Sequence, residues 1–200
     1  MQCAPSSVML AAVSQANTIA GVLIVVGYLI GSIPLANSVA RRRGAPDLRQ
    51  IGDHNPGFWN ARSVLATRDS ATVFAGDFAK GALPAALAVG IDERWAVAYL
   101  VGLAAMVGHA WPLFADFRGG RSALTWAGTT VVVAPLPAAA AIALLTIVWA
   151  LTRRFPLAVK VAVIVFPFLQ IAIEGPWRTA MSGVLMTFVG LRFAMAMREQ

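Results

Sequence analysis

A diglycine flanked by two arginines is the most chemically suggestive pattern in this chain. It lies in "HAWPLFADFRGGRSA" (residues 109–123), between two strongly apolar stretches. Arg118 and Arg121 carry donors that suit phosphate or carboxylate groups. Gly119 and Gly120 permit backbone conformations and close approaches that other residues do not. The pattern therefore predicts an anion-binding loop.

A second polar segment reads "PDLRQIGDHNPGFWNAR" (46–62). Its glycines, asparagines and proline predict a loop rather than a helix. Successive backbone N–H groups in such a loop can cradle a phosphate, although an ordinary surface turn uses the same residue types. The neighbouring Arg49, Arg62 and His54 favour an anion as the ligand.

Other polar residues interrupt the apolar stretches themselves. In "GDFAKGALP" (76–84), Asp77 and Lys80 are three residues apart and share one face of a helix. Ionisable groups in such a stretch usually face a bundle interior or a watery cavity, and a structural ion pair explains them as well as a catalytic role does. Ser32 and His109 lie near the ends of apolar runs, where a structural hydrogen bond is the commoner role for a single residue.

The composition predicts that these polar segments belong to a membrane protein. The chain has 200 residues, of which 58% are hydrophobic and 12% charged, against about a quarter charged in soluble domains. Residues 1–40 carry no charge, which is typical of a transmembrane helix. Because the run lacks a basic beginning, we expect a retained span rather than a cleaved signal. The predicted fold is an all-α integral membrane protein, with one transmembrane domain over residues 1–200.

Hydropathy predicts seven transmembrane helices. Residues 122–152 carry no charge, and as one helix they would be about 47 Å long, well beyond a hydrocarbon core of about 30 Å. Pro135 and Pro137 disfavour a straight helix there, so we divide the run. We expect a seven-helix bundle with short or broken helices near the cytoplasmic face. The approximate spans are 17–40, 70–90, 95–115, 122–134, 138–152, 155–173 and 178–197.

The basic residues predict the orientation. With the N-terminus outside and the C-terminus cytoplasmic, thirteen of the sixteen Lys and Arg residues are cytoplasmic, Arg94 and Arg178 are outside, and Lys80 lies within a span. This positive-inside bias indicates a multi-pass protein of the cell membrane. The net charge of +7 is therefore largely topological, with some attraction to anionic lipid or phosphate, and does not indicate a nucleic acid partner.

Four blocks of the sequence are informative together: "YLIGSIPLA" (28–36), "DLRQIGDHNPGFWNA" (47–61), "DFAKGALPAALA" (77–88) and "GHAWPLFADFRGGRSALTWAG" (108–128). These blocks resemble the membrane-embedded glycerol-3-phosphate acyltransferases that use acyl phosphate as donor. They occur in that family's order and spacing and cover residues 28 to about 135. The resemblance implies a seven-span bundle whose conserved loops lie at the cytoplasmic face.

The resemblance also implies an activity and a site. A fatty acyl group would pass from acyl phosphate to the 1-hydroxyl of glycerol 3-phosphate, giving lysophosphatidic acid and phosphate without a metal or other cofactor. The partners would be these two substrates and the lipid bilayer. Ser32, Arg49 and Arg118 match catalytic positions. The positions matching substrate-binding ones are Asn55, Gly57, Asn60, Lys80, Gly119, Gly120, Arg121 and Thr125.

The chain departs from that pattern at several positions, which leaves alternatives open. The first loop has Asp53, His54 and Trp59 where the family has small or hydroxyl residues, and the C-terminal "GLRFAMAMREQ" lacks the family's His and Asn. One alternative is a paralogue that binds or senses phospholipid or phosphate without acyl transfer. A small transporter is a third hypothesis, motivated only by Asp77 and Lys80.

Overall fold

The structure is a computed structural model, and it describes residues 6–198. Helices and connecting loops make up this part of the chain, and no strand occurs within it. The ends of the predicted domain, residues 1–5 and 199–200, lie outside the described residues. The helices are α1 (Ser6–Gly31), α2 (Leu35–Arg42), α3 (Phe58–Val64), α4 (Thr67–Ile91), α5 (Trp95–Ala110), a short 3₁₀ helix (Leu113–Ala115), α6 (Ala123–Val133), α7 (Pro135–Thr152), α8 (Phe155–Glu174) and α9 (Pro176–Arg198).

Most of these helices have the length and composition of membrane spans. Among the described residues, six helical segments are long and apolar enough to cross a membrane, and α6 is an additional apolar helix of 11 residues. Large apolar side chains such as Trp177 and Leu151 are about four-fifths exposed, as expected for surfaces that face lipid rather than water. The prediction of an all-helical membrane protein is confirmed.

Prolines end two helices earlier than the predicted spans. The first helix stops at Gly31 and α2 resumes at Leu35, because Pro34 cannot donate to the helical ladder and restricts the residue before it. Similarly, α5 stops at Ala110, two residues before Pro112. Each of the expected spans 17–40 and 95–115 therefore contains a break in the helix near one end, although the segments Ala12–Arg42 and Trp95–Ala115 are both long and apolar enough to cross a membrane.

Two further predictions concern where helices begin. The predicted loop at 46–62 is irregular only to Gly57, because its last residues begin α3. The predicted division of 122–152 is confirmed: α6 ends at Val133, and α7 begins at Pro135. Between them, Ala134 leaves helical geometry with φ −140° and ψ 62°.

The loops gather at two ends of the bundle. At one end, which we call the site end, the Arg192 side chain contacts the carbonyl oxygen of Gly120, and the rings of Trp59 and Phe155 approach to 5.9 Å. At the opposite end, Arg94 bonds to Asn17 and Ala16 of α1. The site end thus collects the turn before α2, the loop before α3, residues 111–122, the α7–α8 turn and the last turns of α9.

The centre of the bundle relies on close contact between α4 and α6. A Cβ added at Gly128 would lie 2.0 Å from the carbonyl oxygen of Phe78, and one at Gly81 would lie 1.9 Å from that of Thr125. Only glycine allows the two backbones to approach so closely. This contact places α6 beside the α4 segment that carries Asp77 and Lys80.

Candidate active site at the site end

A narrow cleft, partly open to solvent, lies at the site end, between the α1–α2 turn and the loop that follows α5. Its walls contain three basic or titratable side chains, those of Lys80, His109 and Arg118, together with Gly119 and Gly120. The other lining residues are Gly31, Ile33, Pro34, Leu35, Ala36, Asn37, Pro56, Pro112 and Ala115. The sequence segments singled out for their chemistry therefore meet at one cavity.

A buried ion pair lies next to the cleft. Lys80 Nζ donates to Asp77 Oδ1 at 2.9 Å, with the two side chains 7% and 2% exposed. His109 Nδ1 lies 3.7 Å from the same carboxylate oxygen, and Thr125 Oγ1 donates to the Asp77 carbonyl at 3.1 Å. Helices α4, α5 and α6 thus all contribute polar residues to the same point: Asp77 and Lys80 from α4, His109 from α5 and Thr125 from α6.

The diglycine folds back onto the end of α5. The N–H groups of Gly119 and Gly120 donate to the carbonyl oxygens of Ala110 and His109, at 3.1 and 3.0 Å. A Cβ at Gly119 would lie 2.0 Å from the His109 carbonyl oxygen, so glycine is required for this contact. Both amides therefore cap carbonyl groups that the end of the helix leaves unpaired, instead of pointing at a ligand.

The arginines on either side of the diglycine differ in their surroundings. Arg118 is exposed and lines the cleft, and its guanidinium has no hydrogen-bond or ion-pair partner among residues 6–198. Arg121 is only 15% exposed and donates to Asp53, through Nη1 to Oδ2 at 2.8 Å and through Nη2 to the carbonyl oxygen at 3.1 Å. Its backbone N–H also donates to Asn55 Oδ1 at 3.1 Å. Arg121 therefore connects the two predicted loops.

The loop before α3 is held by its own polar groups. Asn60, which is 5% exposed, donates through Nδ2 to the carbonyl oxygens of Leu48 and Ile51 at 2.7 and 2.9 Å. Arg49 donates to both carboxylate oxygens of Asp47. These hydrogen bonds are the main cause that holds the pKa of Asp47 below its ordinary value and raises the pKa of Arg49.

Two other predicted residues act on backbone structure. Ser32 is fully buried, and its hydroxyl donates to the Tyr28 carbonyl oxygen one turn earlier at 2.8 Å. Gly57 stands before the first residue of α3 in an extended conformation, with φ −142° and ψ −178°. Neither residue is among those that line the cleft.

The structure adds residues that sequence reasoning left out of the site. Asn37 receives the Leu48 N–H and donates to Asp47 Oδ1, at 3.1 and 2.9 Å, so it joins α2 to the first loop. The Arg192 guanidinium lies 4.8 Å from the centre of the Trp111 ring and contacts Gly120. Asn37 could have been noticed as an amide directly after a proline-broken apolar run, whereas nothing in the sequence pattern placed Arg192 beside the diglycine.

Comparison with known proteins identifies one family. Residues 21–199 match the model of the family described as Glycerol-3-phosphate acyltransferase. A glycerol-3-phosphate acyltransferase of Rubrobacter xylanophilus is 37% identical over 146 residues, covering 73% of each chain. One from Bordetella pertussis is 38% identical over 165 residues, covering 82% of this chain and 76% of that one.

Solved structures agree with the sequence matches. The glycerol 3-phosphate form of PlsY (YgiH), an integral membrane glycerol 3-phosphate acyltransferase, superposes with a TM-score of 0.77 at 29% identity and 90% coverage of both chains. Its lysophosphatidic acid form gives 0.75 at 26% identity, again over 90% of both chains.

Proposed function

The chain belongs to the glycerol-3-phosphate acyltransferase family, and from this we propose how its site end carries out acyl transfer. The protein is a membrane glycerol-3-phosphate acyltransferase that acts in phospholipid synthesis. The observation that carries this conclusion is the family match over residues 21–199. The proposal adds acyl phosphate as the donor and assigns roles to the residues around the cleft.

The proposed reaction needs orientation more than acid–base machinery. The 1-hydroxyl oxygen of glycerol 3-phosphate attacks the acyl carbonyl carbon, and a new ester C–O bond forms. The bond from that carbon to the phosphate oxygen breaks, and the hydroxyl proton leaves with the phosphate. Because an acyl phosphate is already an activated mixed anhydride, the protein has to align the two substrates and stabilise their negative charge. We propose that neither a metal nor another cofactor takes part.

Lys80 and Arg118 are the proposed phosphate-contacting cations, since both line the cleft. The exposed guanidinium of Arg118 can present two parallel donors to a phosphate, whereas Lys80 shares its charge with Asp77. Gly119 and Gly120 place Arg118 by folding the loop onto α5.

The remaining predicted residues are proposed to position the site. Ser32, Arg49, Gly57, Asn60 and Thr125 have their polar or backbone groups engaged within the protein. Asn55 belongs to the same group, since its side chain receives the Arg121 N–H.

The orientation predicted from the charges is also part of the proposal. We propose seven crossings, with the N-terminus outside and the site end at the cytoplasmic face. In support, Arg94 and Arg178 both lie at the opposite end, where the Arg178 guanidinium lies 6.0 Å from the Trp95 ring and donates to the Val133 carbonyl oxygen. That contact brings the end of α6 to the opposite end of the bundle, which supports α6 as the additional crossing.

Arg118→Ala tests the proposed function directly. Purified protein in detergent would receive palmitoyl phosphate and glycerol 3-phosphate, and both phosphate release and lysophosphatidic acid would be measured. We expect Arg118→Ala to lose at least tenfold in kcat/KM, because it removes a charged hydrogen-bond donor to substrate worth about 1.5–3 kcal/mol.

Arg154→Ala is the matched control, since Arg154 is exposed at the same end but does not line the cleft. If the unaltered protein released no more phosphate than Arg118→Ala, that result would contradict the proposal. It would favour the alternative of a paralogue that binds without transfer, which no similarity found for the chain supports. Rescue of a strain that lacks its own acyltransferase would exclude that alternative.

A further inference from the structure

The Arg121–Asp53 contact joins the two loops beside the cleft. Arg121 Nη1 lies 2.8 Å from Asp53 Oδ2, and Nη2 donates to the Asp53 carbonyl oxygen at 3.1 Å. Arg121 directly follows Gly120, and Asp53 is three residues before Pro56; both Gly120 and Pro56 line the cleft. Arg121 and Asp53 do not themselves line the cleft, but each lies within three residues along the chain of one that does. The Arg121 guanidinium is occupied by a carboxylate of the protein itself.

The two partners differ in exposure. The Asp53 side chain is 39% exposed, whereas that of Arg121 is 15% exposed. The guanidinium lies 5.1 Å from the centre of the Phe193 ring, and the Arg121 backbone N–H is held by Asn55. If the carboxylate turned out into water, these contacts would keep Arg121 in place.

A phosphate can replace the carboxylate at this guanidinium. An ion pair with a partner this exposed is weak, because water solvates the carboxylate equally well once it is released. A phosphate monoester carries more negative charge than a carboxylate and accepts paired guanidinium donors with suitable geometry. Exchange would add Arg121 to the two cations, Lys80 and Arg118, that already face the cleft.

We infer that Asp53 is an affinity-determining residue. Its carboxylate pairs with the Arg121 guanidinium before substrate binds, and the phosphate group of a substrate then displaces it. This inference rests on the proposed function, because it assumes a phosphorylated substrate in the cleft. Asp53 thereby competes with substrate and lowers the affinity for phosphate.

Asp53→Asn tests the inference by removing the charge and keeping an oxygen for the backbone N–H of Asn55, which Asp53 Oδ1 receives at 3.3 Å. We expect the KM for glycerol 3-phosphate to fall about two- to fivefold, the range that a weak ion pair allows. The affinity for inorganic phosphate should rise by the same factor of about two to five. It is measured by the shift in the thermal unfolding temperature against phosphate concentration. That second measurement does not depend on turnover.

Asp69→Asn is the matched control. It breaks a pair with Arg43 at the same end, with the same N–O distance of 2.8 Å, on residues that do not line the cleft. Both KM and phosphate affinity should stay at their original values in this variant. An equal gain in Asp69→Asn would mean that general charge at this end causes the effect, and the inference would be overturned.

Arg121→Gln separates exchange from structural effects. In that background Asp53→Asn should no longer tighten phosphate binding, because the cation for which the carboxylate competes is absent. A persisting gain would overturn the inference, as would an Asp53→Asn protein with unchanged phosphate affinity or with lost activity and a lowered Tm. If Asp53→Asn tightened phosphate binding in a protein without any acyl transfer, the proposed function would fail while this inference held.

Discussion

At the residue scale, the Asp77–Lys80 pair couples stability to the site. Both side chains are nearly inaccessible, yet Lys80 also lines the cleft. Removing one member of a buried pair leaves an uncompensated charge and costs about 3–5 kcal/mol, whereas replacing both members with apolar or neutral groups is often neutral. The structural role of Lys80 can therefore be separated from its proposed contact with phosphate.

Lys80→Met should lower both the Tm and acyl transfer, because Asp77 is left charged and unpaired. The double variant Asp77→Asn/Lys80→Met should recover most of the lost stability and none of the activity. Thermal unfolding in detergent and phosphate release measure the two effects. If activity were restored in the double variant, the Lys80 charge would have only a structural role.

The types of the residues around the cleft were predictable from the sequence, but the partners of their hydrogen-bond donors were not. Composition and spacing brought forward the diglycine, Lys80 and Arg118, which all line the cleft. Asn60 shows what the sequence could not provide: an asparagine in a glycine-containing loop suits a phosphate or a loop carbonyl equally well. Its choice of Leu48 and Ile51 depends on how the loop closes in three dimensions.

At the element scale, the helix breaks had visible causes that hydropathy averaging concealed. Pro135 interrupts a run too long for one crossing, so the division before α7 was predictable. Pro34 and Pro112 also end helices, but each lies within or beside a stretch apolar enough to be read as one span. The length of the apolar run therefore predicted the break before α7, whereas the breaks at Pro34 and Pro112 were not predicted.

The α4–α6 contact gives a prediction for this scale. Gly128→Ala should destabilise the protein by about 1–3 kcal/mol, the usual cost of overpacking, because its Cβ would lie 2.0 Å from a backbone oxygen that cannot move aside. Activity should fall with it, since α6 carries Thr125 beside Asp77. Thermal unfolding and acyl transfer are the measurements.

Gly190→Ala is the control for that substitution. Gly190 lies within α9 with nothing within 4 Å of an added Cβ, so alanine should be neutral or stabilising by about 0.5–1 kcal/mol. Equal losses at the two positions would show that glycine flexibility, and not close helix contact, explains the effect.

At the scale of the whole molecule, charge and architecture agree. Arg94 and Arg178, which the sequence assigned to the outer face, lie at one end of the bundle. The other end contains Arg49, Arg118, Arg121 and Arg192. The pattern follows from membrane insertion, so it could be derived without any knowledge of packing. The convergence of separate loops on one cleft could not, because it depends on helix order within the bundle.

Labelling from each side of the membrane tests the orientation. In a Cys3→Ser background, Glu93→Cys should react with an impermeant maleimide applied outside intact cells. Arg154→Cys should react only after the inner face is exposed. Glu93 and Arg154 are both exposed, so access to the reagent should depend on the side alone. Labelling of Arg154→Cys from outside would contradict a cytoplasmic cleft.

The 11 residues of α6 rise only about 16 Å, roughly half the thickness of the hydrocarbon layer. If α6 crosses, the non-helical residues before it must make up the remaining depth, so the cleft lies below the plane of the lipid headgroups. A donor with a long tail would then not have to leave its leaflet, because its reactive carbonyl would already lie at the depth of the cleft. Only the water-soluble acceptor would have to move below the headgroups.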